Sequence, residues 1–219
     1  SCRTYAPLPN SPYDAQLKTA SGRLGDLLTV MPQVEKPPVT GIIFYPGALV
    51  KPEAYLPPAW AIAEAAGTLV VIVPMPLNLA VLAPNRGASV PEKFPSIKHW
   101  FIAGHSLGGA MAASLAEKQG NLFSGLILLG AYPAKSSSLA DSDMRVLSVY
   151  SEFDGLADTK KIDNSRPLLP YDTSYVMIKG GNHAGFGNYG EQKGDGTALI
   201  TPKEQWERTA EEIKTFIQQ

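Results

Sequence analysis

The chain reads as a doubly wound α/β protein, a mostly parallel sheet covered by helices on both faces. Three observations predict this. Short runs such as "GIIFY", "TLVVIV" and "LILL" are wholly apolar, as expected of strands buried on both sides and not of half-exposed ones. Helical patterns alternate with these runs, the order that lays down parallel strands. The 219 residues, 44% hydrophobic and 18% charged, suffice for one domain with a substantial core and are few for two.

Taken in order, residues 1–16 carry Pro7, Pro9 and Pro12 among Ser and Asn, and are expected as an extended lead-in to a single domain at 17–219. "GRLGDLLTVMP" (22–32) has strand-like apolar content up to Pro32. "VTGIIFYPG" (39–47) is a β-branched and aromatic strand stopped by Pro-Gly. "PAWAIAEAAG" (58–67) predicts a helix closed by Gly67, and "TLVVIVPM" (68–75) another buried strand. The prolines at 76, 84, 91 and 95 make the next segment a loop with one short helix at most. Then come a strand at 99–104, a helix at 106–118 and strands at 124–133, 144–151 and 173–181. An amphipathic helix closes the chain at 202–217, with Thr201 as its N-cap and Pro202 in its first turn.

Composition excludes several functions. The net charge is −1, from 19 basic and 20 acidic residues, and no basic tract exceeds two residues, which argues against a nucleic-acid partner. A single cysteine, Cys2, forbids an intramolecular disulfide; behind a small residue it also fits the edge of a lipoprotein cleavage site, so an exported, lipid-anchored location stands beside a cytoplasmic one. Three scattered histidines without CxxC or HExxH leave no metal or cofactor expected. No apolar run reaches the roughly 18 residues of a membrane span.

The chemistry is concentrated in "FIAGHSLGGAMAAS" (101–114). Gly104-His105-Ser106-Leu107-Gly108 matches G-x-S-x-G between an expected strand and an expected helix, the context in which a serine is exposed on a sharp turn as a nucleophile. The alternative is Ser106 as an ordinary helix N-cap. A nucleophilic serine needs a base. His105 adjoins Ser106, is expected to point elsewhere, and reads as a bystander. His99 starts the same strand, roughly 23 Å away at ~3.3 Å per residue, at the wrong end of the sheet. His183, in "KGGNHAGFGNYG" beyond the last strand, is the histidine that remains.

The orienting carboxylate belongs between the serine and the histidine, just past a strand. "VLSVYSEFDGLAD" offers Asp154 first, Glu152 second, and Asp158, which reads better as a helix cap. The two N–H donors for an oxyanion are assigned to Leu107, after the serine, and to Ala48 in "YPGALVKPEAY", with Leu49 as the alternative.

Together these residues resemble the α/β-hydrolase superfamily over nearly the whole chain. "YPGALVKPEAY", "VVIVPMPLNLAVLAPNR", "GHSLGGAMAA", "LLGAYPA" and "GGNHAGFGNYG" are similar to a compact bacterial branch related to dienelactone hydrolases and carboxylesterases. The resemblance implies Ser106 as nucleophile, Asp154 as acid and His183 as base. Two departures stand out: dienelactone hydrolases proper use a cysteine nucleophile, and Ser151 takes a place where many members have glycine.

The sequence leaves no room for a large cap. Leu77, Leu79, Val81 and Leu82 are candidates for lining an acyl or alcohol pocket, with packing of a short helix as the alternative. Phe186 and Tyr189 are expected on a mobile, glycine-rich rim, and Arg86 and Lys51 as surface charge. The expected activity is hydrolysis of small to medium esters through an acyl-enzyme. A thioesterase would use the same machinery, and a non-catalytic binding protein is the rival outside enzymology.

Overall fold

The computed structural model describes residues 4–219; Cys2 lies outside the described residues. Eight strands form one sheet: β1 (Ser21–Leu24), β2 (Leu27–Val30), β3 (Thr40–Tyr45), β4 (Leu69–Ile72), β5 (His99–His105), β6 (Gly125–Leu129), β7 (Val146–Ser151) and β8 (Ser174–Ile178). Their order across the sheet is β1-β2-β4-β3-β5-β6-β7-β8. From β4 to β8 all pairings are parallel; β2 joins β4 antiparallel, and β1 pairs back on β2. The helices are α1 (Asp14–Ala20), α2 (Leu56–Ala66), the one-turn α3 (Val90–Lys93), α4 (Leu107–Lys118), α5 (Thr159–Ser165) and α6 (Pro202–Gln218).

Alternate residues of the central strands feed two separate cores, as the two-residue period of a strand requires. Ile42, Phe44, Phe101, Ala103, Ile127 and Leu129 pack under α1, α2 and α6, against Leu17, Trp60, Trp206 and Phe216. Ile43, Tyr45, Ile102, Leu126 and Leu128 face the other way, onto Ala112, Ala113, Leu115 and Ala116 of α4. The alanines let α4 lie close to the sheet. Helix α6 starts in a capping box, Thr201 accepting from the Glu204 N–H and Glu204 accepting from the Thr201 N–H.

Two expectations are corrected. The run at 22–32 is not one strand but the hairpin β1–β2, because Gly25, at φ 62°, takes the first place of a two-residue loop. The Gly25-Asp26 pair between Leu24 and Leu27 is the local signal of that hairpin. The lead-in expected to extend to residue 16 becomes helical at Asp14, and Tyr5 exchanges backbone hydrogen bonds with Leu49 and Lys51, holding the N-terminal segment against the loop after β3.

Candidate active site

Parallel strands deliver their carboxyl ends to one edge, and the loops there carry the chemistry. At the end of β5 the backbone turns into α4 through Ser106, held at φ 55° and ψ −126°. A non-glycine residue there is strained by about 1–3 kcal/mol and persists only where its surroundings dictate it. Those surroundings are close. A Cβ at Gly104 would lie 2.5 Å from the Gly108 carbonyl group, and one at Gly108 would collide with the backbone oxygens of Tyr45 and Pro46. The Ser106 N–H donates to the Leu129 carbonyl (3.1 Å), tying the turn to the end of β6.

The residue after Leu129, Gly130, faces His183 and Asp154. His183, in the loop after β8, and Asp154, in the loop after β7, are both buried, with His183 Nδ1 2.7 Å from Asp154 Oδ2. Asp154 Oδ1 accepts from the N–H groups of Leu156 (2.8 Å) and Ala157 (2.6 Å). The carboxylate is thus an acceptor on both oxygens, which assigns the proton of a neutral His183 to Nδ1 and leaves the lone pair on Nε2. Nε2 is buried and has no hydrogen-bond partner among the described residues. An imidazole in this state is equipped to take a proton from a neighbouring hydroxyl.

The other carboxylates of that segment have different work. Glu152 accepts from the Gly180 N–H (2.9 Å), and Asp158 caps α5 by accepting from the Lys161 N–H (2.8 Å). In the loop after β3, the Leu49 N–H is committed to the Asn78 carbonyl (2.8 Å) and the Gly47 N–H to the Tyr55 hydroxyl (2.9 Å). The N–H groups of Ala48 and Leu107 are engaged by no hydrogen bond among the described residues.

His105 is buried beside His183. Its ring is 1% exposed and lies 4.5 Å, centroid to centroid, from that of His183, with Nδ1 2.8 Å from the Tyr55 hydroxyl. Burial, then the proximity of His183, pushes its pKa well below the ordinary 6.5. His99 sits exposed at the opposite end of the strand.

The pocket-lining candidates divide. Leu77, Val81 and Leu82 are 78%, 52% and 54% exposed, while Leu79 is half-buried and Ala80 is the residue of this stretch in the core. Phe186 and Tyr189 form no rim: both are buried, Phe186 packing 5.5 Å from His105 and Tyr189 against Tyr5 and Tyr55. Glycines had suggested a loose segment, but here they admit close packing. Arg86 pairs with Asp26 at the surface, and Lys51 is exposed.

Sequence reasoning missed a set of supporting residues. Asp195 accepts from the N–H groups of Gly155 (3.2 Å), His183 (3.1 Å), Ala184 (2.8 Å) and Gly196 (2.8 Å), joining the Asp154 loop to the His183 loop. Buried Gln205 of α6 donates to Ser151 Oγ (2.9 Å) and the Asn182 carbonyl (2.8 Å), and accepts from the Asn182 N–H (3.1 Å). Ser151 is therefore an anchoring point at the end of β7. The one sequence signal was the density of Gly, Asn and Asp after His183, whose partners lie in other loops.

Residues 41–207 match the model of a family described as the alpha/beta hydrolase family. No curated protein matches the chain at a significant level. Among solved structures, Est1E from Butyrivibrio proteoclasticus, with ferulic acid bound, superposes with a TM-score of 0.66 at 12% identity, over 89% of this chain and 96% of that one. The esterase domain of a Rhodothermus marinus protein gives 0.62 at 12%, over 87% and 90% of the two chains. A serine hydrolase without a lid from Xanthomonas campestris gives 0.57 at 17%, over 75% and 86%. These neighbours share the fold at low identity, and the family match covers most of the sequence: the chain belongs to the alpha/beta hydrolase family.

Proposed function

We propose that the protein is a serine hydrolase that cleaves small to medium carboxylic esters through an acyl-enzyme. The observation that carries this reading is the buried His183–Asp154 pair at 2.7 Å, with Nε2 unengaged, at the same end of the sheet as the strained Ser106 turn. His183 Nε2 takes the Ser106 proton as Oγ attacks the ester carbonyl. The Ala48 and Leu107 N–H groups receive the oxyanion. Collapse expels the alcohol, protonated by His183, and leaves Ser106 acylated. Water, deprotonated by the same imidazole, then attacks, and the carboxylic acid departs as Ser106 regains its proton. Asp154 holds the imidazole in the productive tautomer and stabilises the imidazolium. What supports small to medium substrates is that the connections at that end of the sheet are short helical turns, with Leu77, Val81 and Leu82 exposed on one of them.

Wild-type protein should label with a fluorophosphonate probe and hydrolyse short-chain aryl esters, and Ser106→Ala should lose both. A wild-type protein that neither labels nor turns over would sink the proposal. Kinetics over a panel of acyl chain lengths, with thioester analogues included, would identify the preferred bond and chain.

A further inference from the structure

The Tyr55 hydroxyl occupies an unusual place. Tyr55 ends the single helical turn before α2 and is 1% exposed, its ring fixed against Phe44 at 5.0 Å. Its oxygen has two neighbours: the Gly47 N–H at 2.9 Å and His105 Nδ1 at 2.8 Å. Gly47 can only donate. The phenol oxygen accepts from Gly47 and bonds His105 Nδ1 on its other side, as donor when Nδ1 carries the lone pair and as acceptor when Nδ1 carries the proton. Burial keeps both partners neutral, raising the Tyr55 phenol above its ordinary 10.0 and lowering His105. Space around the bridge is tight: a Cβ on Gly47 would lie 2.9 Å from the Tyr55 oxygen and 3.1 Å from His105 Nδ1.

His105 immediately precedes Ser106, and Gly47 immediately precedes Ala48. We propose that Tyr55, through this bridge to His105, is a positioning residue that holds the Ala48 N–H at a constant place relative to the nucleophile. The inference rests on the reading of Ser106 as nucleophile and Ala48 as oxyanion donor. The Gly47 N–H lies in the rigid Pro46–Gly47 peptide plane, so its bond to Tyr55 fixes that plane one residue before the Ala48 N–H, and the close walls around Gly47 limit the two dihedrals between them. The neighbouring Leu49 N–H bond to Asn78 holds the same loop from its other side. Nothing in this arrangement touches substrate, so its effect belongs to the charged tetrahedral state rather than to binding of the neutral ester.

The test is Tyr55→Phe, which keeps the ring and removes the bridge. Loss of a whole oxyanion donor costs about 10²–10³ in kcat; a donor displaced and not deleted should lose roughly 10–100-fold, with KM within about twofold. Affinity for a boronic acid or trifluoromethyl ketone that mimics the tetrahedral state should weaken by the same factor as kcat/KM. A merely structural role would lower the melting temperature without that proportionality. If Tyr55→Phe does not fold, His105→Leu and His105→Asn decide: the Asn amide offers an acceptor oxygen or a donor nitrogen near the Nδ1 position, so it should recover most of the loss caused by Leu. Folded Tyr55→Phe with wild-type kcat, analogue affinity that does not follow kcat/KM, or equal activities of the two His105 variants would overturn the inference while leaving the hydrolase reading intact. Wild-type protein inert to the fluorophosphonate probe brings down both.

Discussion

Ser106 and Gly130 carry backbone conformations that ordinary residues avoid, and they sit on either side of the same site. Ser106 accepts its strain because Gly104 and Gly108 let β5, α4 and the loop after β3 come within contact of one another. Gly130, at φ 50°, has a different constraint: a Cβ there would stand 3.0 Å from Asp154 Oδ2 and 3.2 Å from His183 Nδ1. Gly130→Ala should therefore act twice. The left-handed conformation costs an alanine about 1 kcal/mol, a fall of roughly 2–4 °C in Tm for a chain of this size. The methyl group should also disturb the 2.7 Å pair and lower kcat at least tenfold with little change in KM. Thermal melts and steady-state kinetics on one preparation check both parts; unchanged kcat would show that the pair tolerates the intrusion.

Between elements, the loops after β7 and β8 are held by acceptors supplied from a distance. Asp195 gathers four N–H groups from two loops, and Gln205 reaches from α6 to Ser151 and Asn182. Each donor left unpaired on removing such an acceptor costs on the order of 1 kcal/mol, more when it is shut off from water. None of the four donors is fully buried and water can take over some of them, so Asp195→Ala should lower stability by about 2 kcal/mol, roughly 4–8 °C in Tm, and speed amide exchange at His183 and Ala184. Asp195→Asn, which keeps one acceptor oxygen, should fall between. Exchange at those two amides indistinguishable from wild type would mean that the loop stands without the carboxylate. Helix α6 is thus more than a cover for the sheet: its capping box and its buried face set the height at which Gln205 meets the His183 loop.

For the molecule as a whole, burying His105 has a pH signature. Its folded-state pKa lies well below the ordinary 6.5 of the unfolded chain. Below pH 6.5 the unfolded chain binds a proton that the folded chain refuses, so stability falls as the pH drops from 6.5 towards the folded value, and this contribution vanishes above 6.5. The groups facing His105 are the Tyr55 hydroxyl, the His183 ring backed by Asp154, Phe186 and Tyr189. The slope from His105 alone is at most about 1.4 kcal/mol per pH unit. Urea unfolding at a series of pH values should show a shallower acid slope in His105→Asn than in wild type, and parallel curves would place the acid sensitivity elsewhere.

By itself the amino-acid sequence determined the buried strands, the alternating helices and the turn at Ser106, because these depend on local patterns: continuous apolar runs, caps and glycine spacing. It also narrowed the histidines to His183 and ranked Asp154 over Glu152, since chain order and strand ends are one-dimensional information. It left 22–32 as strand-like content although Gly25-Asp26 between Leu24 and Leu27 carries a hairpin turn, and it gave no sign that His105 is buried against His183, because the surroundings of a side chain leaving a strained elbow are not encoded in spacing. What only the tertiary structure decided is which distant groups meet: Gly47 with Tyr55 and His105, Asp195 with the backbone of His183, Gln205 with Ser151. These are hydrogen bonds between loops from different parts of the chain. Their partners are chosen by how the sheet brings its carboxyl ends together, and no local period records that choice.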